Sequence, residues 1–289
     1  MRVELWGVRG SLPTAGHATT RYGGNTSCVS VRTLDGNLVV LDAGTGIAAL
    51  GRSLGHEPRV DILLTHLHLD HIQGLGFFGP LFDEDCEVHI WGPASPTVGL
   101  RARLTRYLSP PLFPVALRDL PCRLTLHEST LGSFELPGLR GRAALICHPG
   151  PTVGYRLSSE DGSLAYLPDH EPALGVRGFP STSDWTSGFE LVHGVDLLLH
   201  DAQYTDDEYA ERVGWGHSTM ANAVAFAHLA GARQLVAFHH DPSHDDDFLD
   251  TFVEAYDGTL GVPVCGAREG DVYVLDGQES GVLRRTLSA

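Results

Sequence analysis

Residues 65–71 read Thr65-His66-Leu67-His68-Leu69-Asp70-His71 and follow directly on the apolar run Val60–Leu64. Such a run is a candidate buried strand. At a strand end the chain turns outward, so His66 and His68 can converge while Asp70 and His71 join from the next turn. Imidazole nitrogens and a carboxylate oxygen suit a borderline divalent ion such as zinc. Four such groups within six residues exceed what one tetrahedral site with an open position uses. The segment therefore points to two metals. A chance run of surface histidines has no reason to take this spacing directly after an apolar strand.

Working outward, the first half reads as short strands between glycine turns: Arg2–Trp6, Ser27–Thr33, Leu38–Asp42, Val60–Thr65 and Glu87–Trp91. All are rich in β-formers and bounded by Gly, Pro or Asp. Strands resume at Arg123–His127, Ala143–His148, Gly154–Ser158, Ser163–Pro168, Val195–His200 and Leu235–Phe238. Ile72–Phe78, Thr205–Val213 and Met220–Leu229 are read as helical, the last capped by Ser218 or Thr219 and stopped by Gly231. The acidic run Asp245–Asp247 is expected to be a solvated turn and helix start. Without linker or repeat, residues 1–289 read as a single α/β domain. Residues 93–123, with Arg101, Arg103, Arg106, Arg118 and Arg123 and the single acid Asp119, read as a substrate-covering insertion.

The formal net charge is −16, and every basic residue is arginine. That balance speaks against binding long nucleic acid, whose phosphates need a positive surface. Five scattered cysteines without a CxxC pair read as free thiols in a reducing compartment. The N-terminus lacks a signal-peptide pattern and no apolar run is long enough to span a bilayer. A cytoplasmic protein with no membrane partner is expected.

The HxHxDH segment is the signature of the metallo-β-lactamase superfamily, which this chain resembles over nearly its full length. The resemblance implies a four-layer αββα sandwich, two mixed sheets with helices outside. It also implies a metal set. His148 at the end of Ile146-Cys147-His148, Asp169 after Tyr166-Leu167-Pro168 and His239 after Val236-Ala237-Phe238 match the family's later positions. One metal would take His66, His68 and His148, and the other Asp70, His71 and His239. Asp169 and a hydroxide would bridge them. Between His239 and His240 the choice stays open, and His170 and His240 are read as outer or surface residues. Two divalent ions are implied, Zn2+ first, with Mn2+ or Fe2+ as alternatives.

Leu199-His200-Asp201-Ala202 followed by Gly216-His217-Ser218-Thr219 resembles the paired motifs of the ribonuclease Z-like phosphodiesterase branch. That branch more often has glutamate where Asp201 stands. The resemblance assigns catalytic parts to Asp70, His217 and Asp201, with Asp201 orienting His217 to stabilise charge or protonate the leaving oxygen. No glycine-rich, lysine-rich arm for gripping transfer RNA is evident. The expected substrate is a small phosphodiester such as a cyclic nucleotide, and homodimers in that branch imply a dimer by analogy. Alternatives are a thioester or lactone hydrolase on the same site, or a non-enzymatic metal-stabilised binding module. Arg9 and Asn25, in glycine-rich turns, are weighed as substrate contacts or as turn residues.

Overall fold

The computed structural model describes residues 1–129, 131–174, 178–277 and 284–287, the last as backbone only. One sheet contains β1 (Arg2–Gly7), β2 (Cys28–Arg32), β3 (Leu38–Leu41), β4 (Arg59–Leu63), β5 (Glu87–Pro93) and β6 (Arg123–Ser129). The other contains β7 (Gly132–Leu136), β8 (Leu139–Leu145), β9 (Val153–Ser159), β10 (Gly162–Leu167), β11 (Leu197–Asp201), β12 (Leu235–Phe238) and β13 (Val264–Gly266). The chain then returns to the first sheet with β14 (Asp271–Val274) and β15 (Arg284–Leu287). The orders are β15-β14-β1-β2-β3-β4-β5-β6 and β13-β12-β11-β10-β9-β8-β7, each mixing parallel and antiparallel pairs.

Side chains alternate across a strand, and here both faces find an apolar layer. In β3, Val39 and Leu41 enter the layer between the sheets, while Leu38 and Val40 face outward to helices. In β10, Leu164 and Tyr166 point inward, while Ala165 and Leu167 point outward. Burial on both faces explains why Leu38–Leu41 and Leu235–Phe238 are uninterrupted apolar runs. Helices α1 (Ile47–Ser53), α2 (Leu69–Ile72) and α3 (Leu100–Tyr107) contribute to the outer layer of the first sheet. Those of the second sheet are α4 (Phe189–Val192), α5 (Asp206–Tyr209), α6 (Met220–Ala230) and α7 (Asp246–Glu254), of which α4, α6 and α7 supply its outer apolar layer. The result is the expected αββα sandwich. Among the described residues no helix is long and apolar enough to cross a membrane.

Several boundaries moved, each for a local reason. Residues 93–123 form the crossover between the parallel strands β5 and β6. Leu100, Leu104, Leu108, Phe113 and Leu117 fill the outer layer. Helix α2 starts on the histidine segment itself instead of after it. It stops at Gly74, whose N–H donates to Ala43 O (2.9 Å) and whose Cβ, if present, would lie 2.1 Å from Gly44 O. Only one turn of the expected helix Thr205–Val213 forms, with Thr205 and Glu208 as a capping box. Beyond it Glu171 accepts from the backbone N–H groups of Gly214 and Gly216. Helix α6 matches its expected caps: Thr219 accepts from Asn222 N, and Gly231 closes it at φ 66°. Asp245 caps α7 as expected, but Asp246 is buried and accepts from Arg21 N and Tyr22 N.

Parallel pairing of β3 with β4, and of β10, β11 and β12 with one another, sets their C-terminal ends side by side. Two bonds tie the sheets together at this edge. Tyr166 OH donates to Asp42 Oδ2 (3.0 Å) and Tyr155 OH to Leu64 O (2.9 Å).

Candidate metal centre

The loops after β4, β8, β10 and β12 deliver their polar side chains to this shared edge. Donor atoms of His66, His68, His148 and Asp169 lie within 4.8 Å of one another, as do those of Asp70, His71, Asp169 and His239. Asp169 stands between the groups. Its Oδ1 is 2.9 Å from His71 Nε2 and 3.2 Å from His239 Nε2; its Oδ2 is 3.7 Å from His66 Nε2 and 3.8 Å from His148 Nε2. All seven residues singled out in the sequence are therefore brought together, in two groups sharing one carboxylate.

The outer bonds fix which nitrogen of each ring faces inward. Asp42, buried at the end of β3, accepts from His71 Nδ1 (2.8 Å), Thr65 N (2.8 Å) and Thr65 Oγ1. Gln203 Oε1 accepts from His239 Nδ1 (3.0 Å), and Gly216 O from His148 Nδ1 (2.9 Å). In each ring Nε2 turns to the centre, the tautomer logic of metal-binding histidines. Asp42 and His239 close their strands with φ of 58° and 61°, a conformation that costs a non-glycine residue about 1–3 kcal/mol and is kept where it aims a side chain.

Three buried atoms at the centre, His66 Nε2, His71 Nε2 and Asp169 Oδ1, have no well-aligned hydrogen-bond partner. Orphaned polar atoms in a buried site cost about 1–3 kcal/mol each, so three pointing at one space call for a shared ligand. Burial lowers the proton affinity of His66, His68 and His148, which favours neutral rings. Burial opposes the charge on Asp70 and Asp169, but neighbouring histidines outweigh it and hold both carboxyls well below their usual range. Burial also works against a charged His71, but the same carboxylates, with Asp42, outweigh it and raise its proton affinity. His66, His68 and His148 thus favour the neutral ring, while His71 holds a proton that a divalent cation would displace.

Beside the centre, His217 Nδ1 donates to Asp201 Oδ2 at 2.6 Å, and its ring stacks on His239 with centroids 5.0 Å apart. The shorter arm of aspartate reaches without difficulty. Burial works against a charged His217, but Asp201, with Asp169 and Asp70, raises it to about 9. Asp201 also accepts from the backbone of His170, Gln203 and Ser218, so it ties three loops to this edge.

The neighbours resolve as well. His240 turns away from the centre, bonding Ala267 O (2.9 Å) and packing edge-on against Tyr22. His170 pairs with His200 (2.9 Å) behind the site. Both are fully buried rather than at the surface. Arg9 is buried, its guanidinium donating to the carbonyls of Gly23, Asp241 and His244, and Asn25 bonds Glu269. These two hold loops together. Residues with no sequence motif of their own complete the site: Asp42, Ser11 (whose N–H donates to Asp70 Oδ2 at 2.9 Å), Gln203 and Glu171. Of these only Asp42, an acid ending an apolar strand before Gly44-Thr45-Gly46, carried a local signal.

A family model described as the β-lactamase superfamily domain matches residues 37–240. The chain belongs to that superfamily. This superfamily member is 25% identical over 305 residues to the ribonuclease Z of Haloarcula marismortui, covering 90% of this chain and 93% of the relative. Its fold resembles the short form of human tRNase Z with a TM-score of 0.67 and 22% identity, over 95% of this chain and 99% of that one. It also resembles a diphosphatase from the PhnP family, with a TM-score of 0.66 and 20% identity over 94% and 96% of the two chains. Like the enzymes of this superfamily, it is a metal-dependent hydrolase.

One prediction arises from the packing. A Cβ on Gly10 would lie 2.4 Å from the His239 ring, which is clamped between Gln203 and His217. Gly10→Ala is expected to cost about 1–3 kcal/mol of overpacking, read by urea unfolding, and to weaken zinc retention. Unchanged stability and zinc content would show that the His239 ring can move aside.

Proposed function

We propose that this protein is a dinuclear metal-dependent phosphodiesterase acting on a small phosphodiester. His66, His68 and His148 would hold one ion, Asp70, His71 and His239 the other, with Asp169 between them. Two such ions supply Lewis acidity, an acidified water and a clamp on phosphoryl oxygens. The observation that carries the reading beyond a generic hydrolase is the 2.6 Å bond from His217 Nδ1 to Asp201 beside the shared centre. That bond fixes the ring and leaves Nε2 as the proton-bearing atom facing the substrate. From there it can counter charge on the phosphoryl group or protonate the leaving oxygen. Asp201 holds the ring and spreads its positive charge. Ser11 N–H holds Asp70 in place.

A small substrate is supported by the surface. Arg103, Arg118 and Arg123 pair with Glu128, Asp119 and Glu87. Of the five arginines in the 93–123 crossover, only Arg101 and Arg106 are exposed without an acidic partner among the described residues, a smaller positive face than the sequence suggests. It approaches the site through Tyr107, whose hydroxyl donates to Gln73 O just past α2. The similarity to ribonuclease Z over most of both chains favours a second reading, a processed RNA end. A panel of cyclic nucleotides, bis(p-nitrophenyl) phosphate, precursor transfer RNA, a thioester and a lactone, run with zinc and with manganese, separates these. Turnover of the small phosphodiesters is expected to exceed that of the thioester and lactone by at least about a hundredfold, the scale of one lost acid–base contribution. Preferential cleavage of the transfer RNA would transfer the conclusion to the second reading, and preferential thioester or lactone hydrolysis would overturn both.

A further inference from the structure

Glu171 lies two residues beyond Asp169, is 2% exposed, and takes no part in the ligand set or the Asp201–His217 pair. A buried carboxylate is costly unless well bonded. This one accepts from Gly214 N (2.9 Å) and Gly216 N (2.9 Å), and from the hydroxyl of Tyr209. Its own N–H donates to Cys147 O (2.9 Å). The next residue after Cys147 is His148, whose Nδ1 donates to Gly216 O. These bonds close a ring through Cys147, His148, Gly216 and Glu171.

Gly216 has no substitute here. Its φ is 89°, and a Cβ would lie 2.3 Å from His148 Nδ1. The residue that follows it is His217, held by Asp201. The segment Gly214–His217 is thus pinned at both ends by buried carboxylates. It presents a carbonyl to one imidazole and carries another.

We propose that Glu171 is a positioning residue that orients His148 and His217 together by holding the Gly214–Gly216 segment against the metal centre. This rests on the dinuclear phosphodiesterase reading. With Nδ1–H committed to Gly216 O, the His148 lone pair stays on Nε2, which faces His68 and Asp169. Once the segment is released, the ring can exchange tautomers, and His217 loses the anchor on its N-terminal side. Loss of an outer partner of this kind costs about 10–100-fold in metal affinity or activity.

The test compares wild type, Glu171→Ala, Glu171→Gln and Tyr209→Phe. In Glu171→Ala, zinc affinity by chelator competition and kcat on bis(p-nitrophenyl) phosphate are each expected to fall about 10–100-fold, with KM little changed. Glu171→Gln keeps one accepting oxygen and should fall in between. Tyr209→Phe removes one donor but leaves both glycine bonds, and should stay within a few-fold of wild type. In the metal-free proteins, 15N NMR should show His148 as a single Nδ1–H tautomer in wild type and a mixture once the carboxylate is gone. If Glu171→Ala does not fold, Glu171→Gln decides by the same measurements. An unchanged tautomer and unchanged zinc affinity in a folded Glu171 variant would overturn the proposal. A wild-type chain that binds no zinc and cleaves no phosphodiester would instead overturn the reading beneath it. The tautomer in the metal-free chain reports on Glu171 either way.

Discussion

Asp169→Ala is expected to reduce metal-dependent turnover by about 10³-fold or more, because both groups of donors lose the anionic oxygen they share. Four imidazole Nε2 atoms face this carboxylate, at 2.9 and 3.2 Å on one oxygen and 3.7 and 3.8 Å on the other. Without it, His66, His68 and His148 remain as three neutral donors, and the second group keeps Asp70 as its sole anion. Zinc content after dialysis should drop below the two ions per chain proposed for wild type. The thermal response to added zinc should shrink too. A ligand at a hundredfold excess over its Kd stabilises the folded state by about 2.7 kcal/mol, and the variant should lose most of that gain. Asp169→Asn keeps the shape and removes the charge. If the Asp169→Asn variant retained both zinc ions and turnover within about tenfold of wild type, the shared-carboxylate arrangement would be wrong.

The second large effect separates chemistry from metal binding. His217→Ala should lower phosphodiester turnover by about 10²–10³-fold, the range of a lost acid–base or charge-stabilising group, with zinc content unchanged. The ring belongs to neither of the two groups that share Asp169; its donor atoms group with those of Asp201 and His239 alone, and its Nδ1 is committed to Asp201. Its stacking on His239 is a face contact that leaves the inward nitrogen of His239 turned to Asp70 and Asp169. Asp201→Asn should lose a similar factor, because the amide cannot balance the charge that burial resists in His217. A thiolate leaving group needs no proton, so any thioesterase turnover should be nearly insensitive to both changes. Loss of zinc in His217→Ala would place this residue among the ligands instead, and equal loss on both substrate types would remove its role at the leaving group.

Much of this could be read along the chain because its signals are local. Apolar runs that end in His, Asp or His-Asp pairs mark strands delivering ligands to an edge, and Leu235–Phe238 followed by His239 is the plainest case. What escaped was of two kinds. Short or edge strands such as β7 and β13, and the one-turn helix α4, have too few residues for a periodic signal. Residues that act through others, Asp42 apart, gave none at all. Glu171 has no motif, because its partners are backbone N–H groups some forty positions away.

By itself, then, the sequence determined the donor types of residues 66–71, their order and the strands that precede them, since apolar runs and ligand spacing are written in consecutive residues. The sandwich and the later ligands were implied by the resemblance to the superfamily. Tertiary structure alone decided that His239 and not His240 faces the centre, through a left-handed φ at the end of β12 and the bond to Gln203. It also decided that Arg9 and Asn25 are ties rather than contacts, and that the 93–123 stretch is a packed crossover. The physical reason is the same in each case: a side chain's direction depends on which distant backbone groups its loop meets, and that is settled only when the two sheets close on each other.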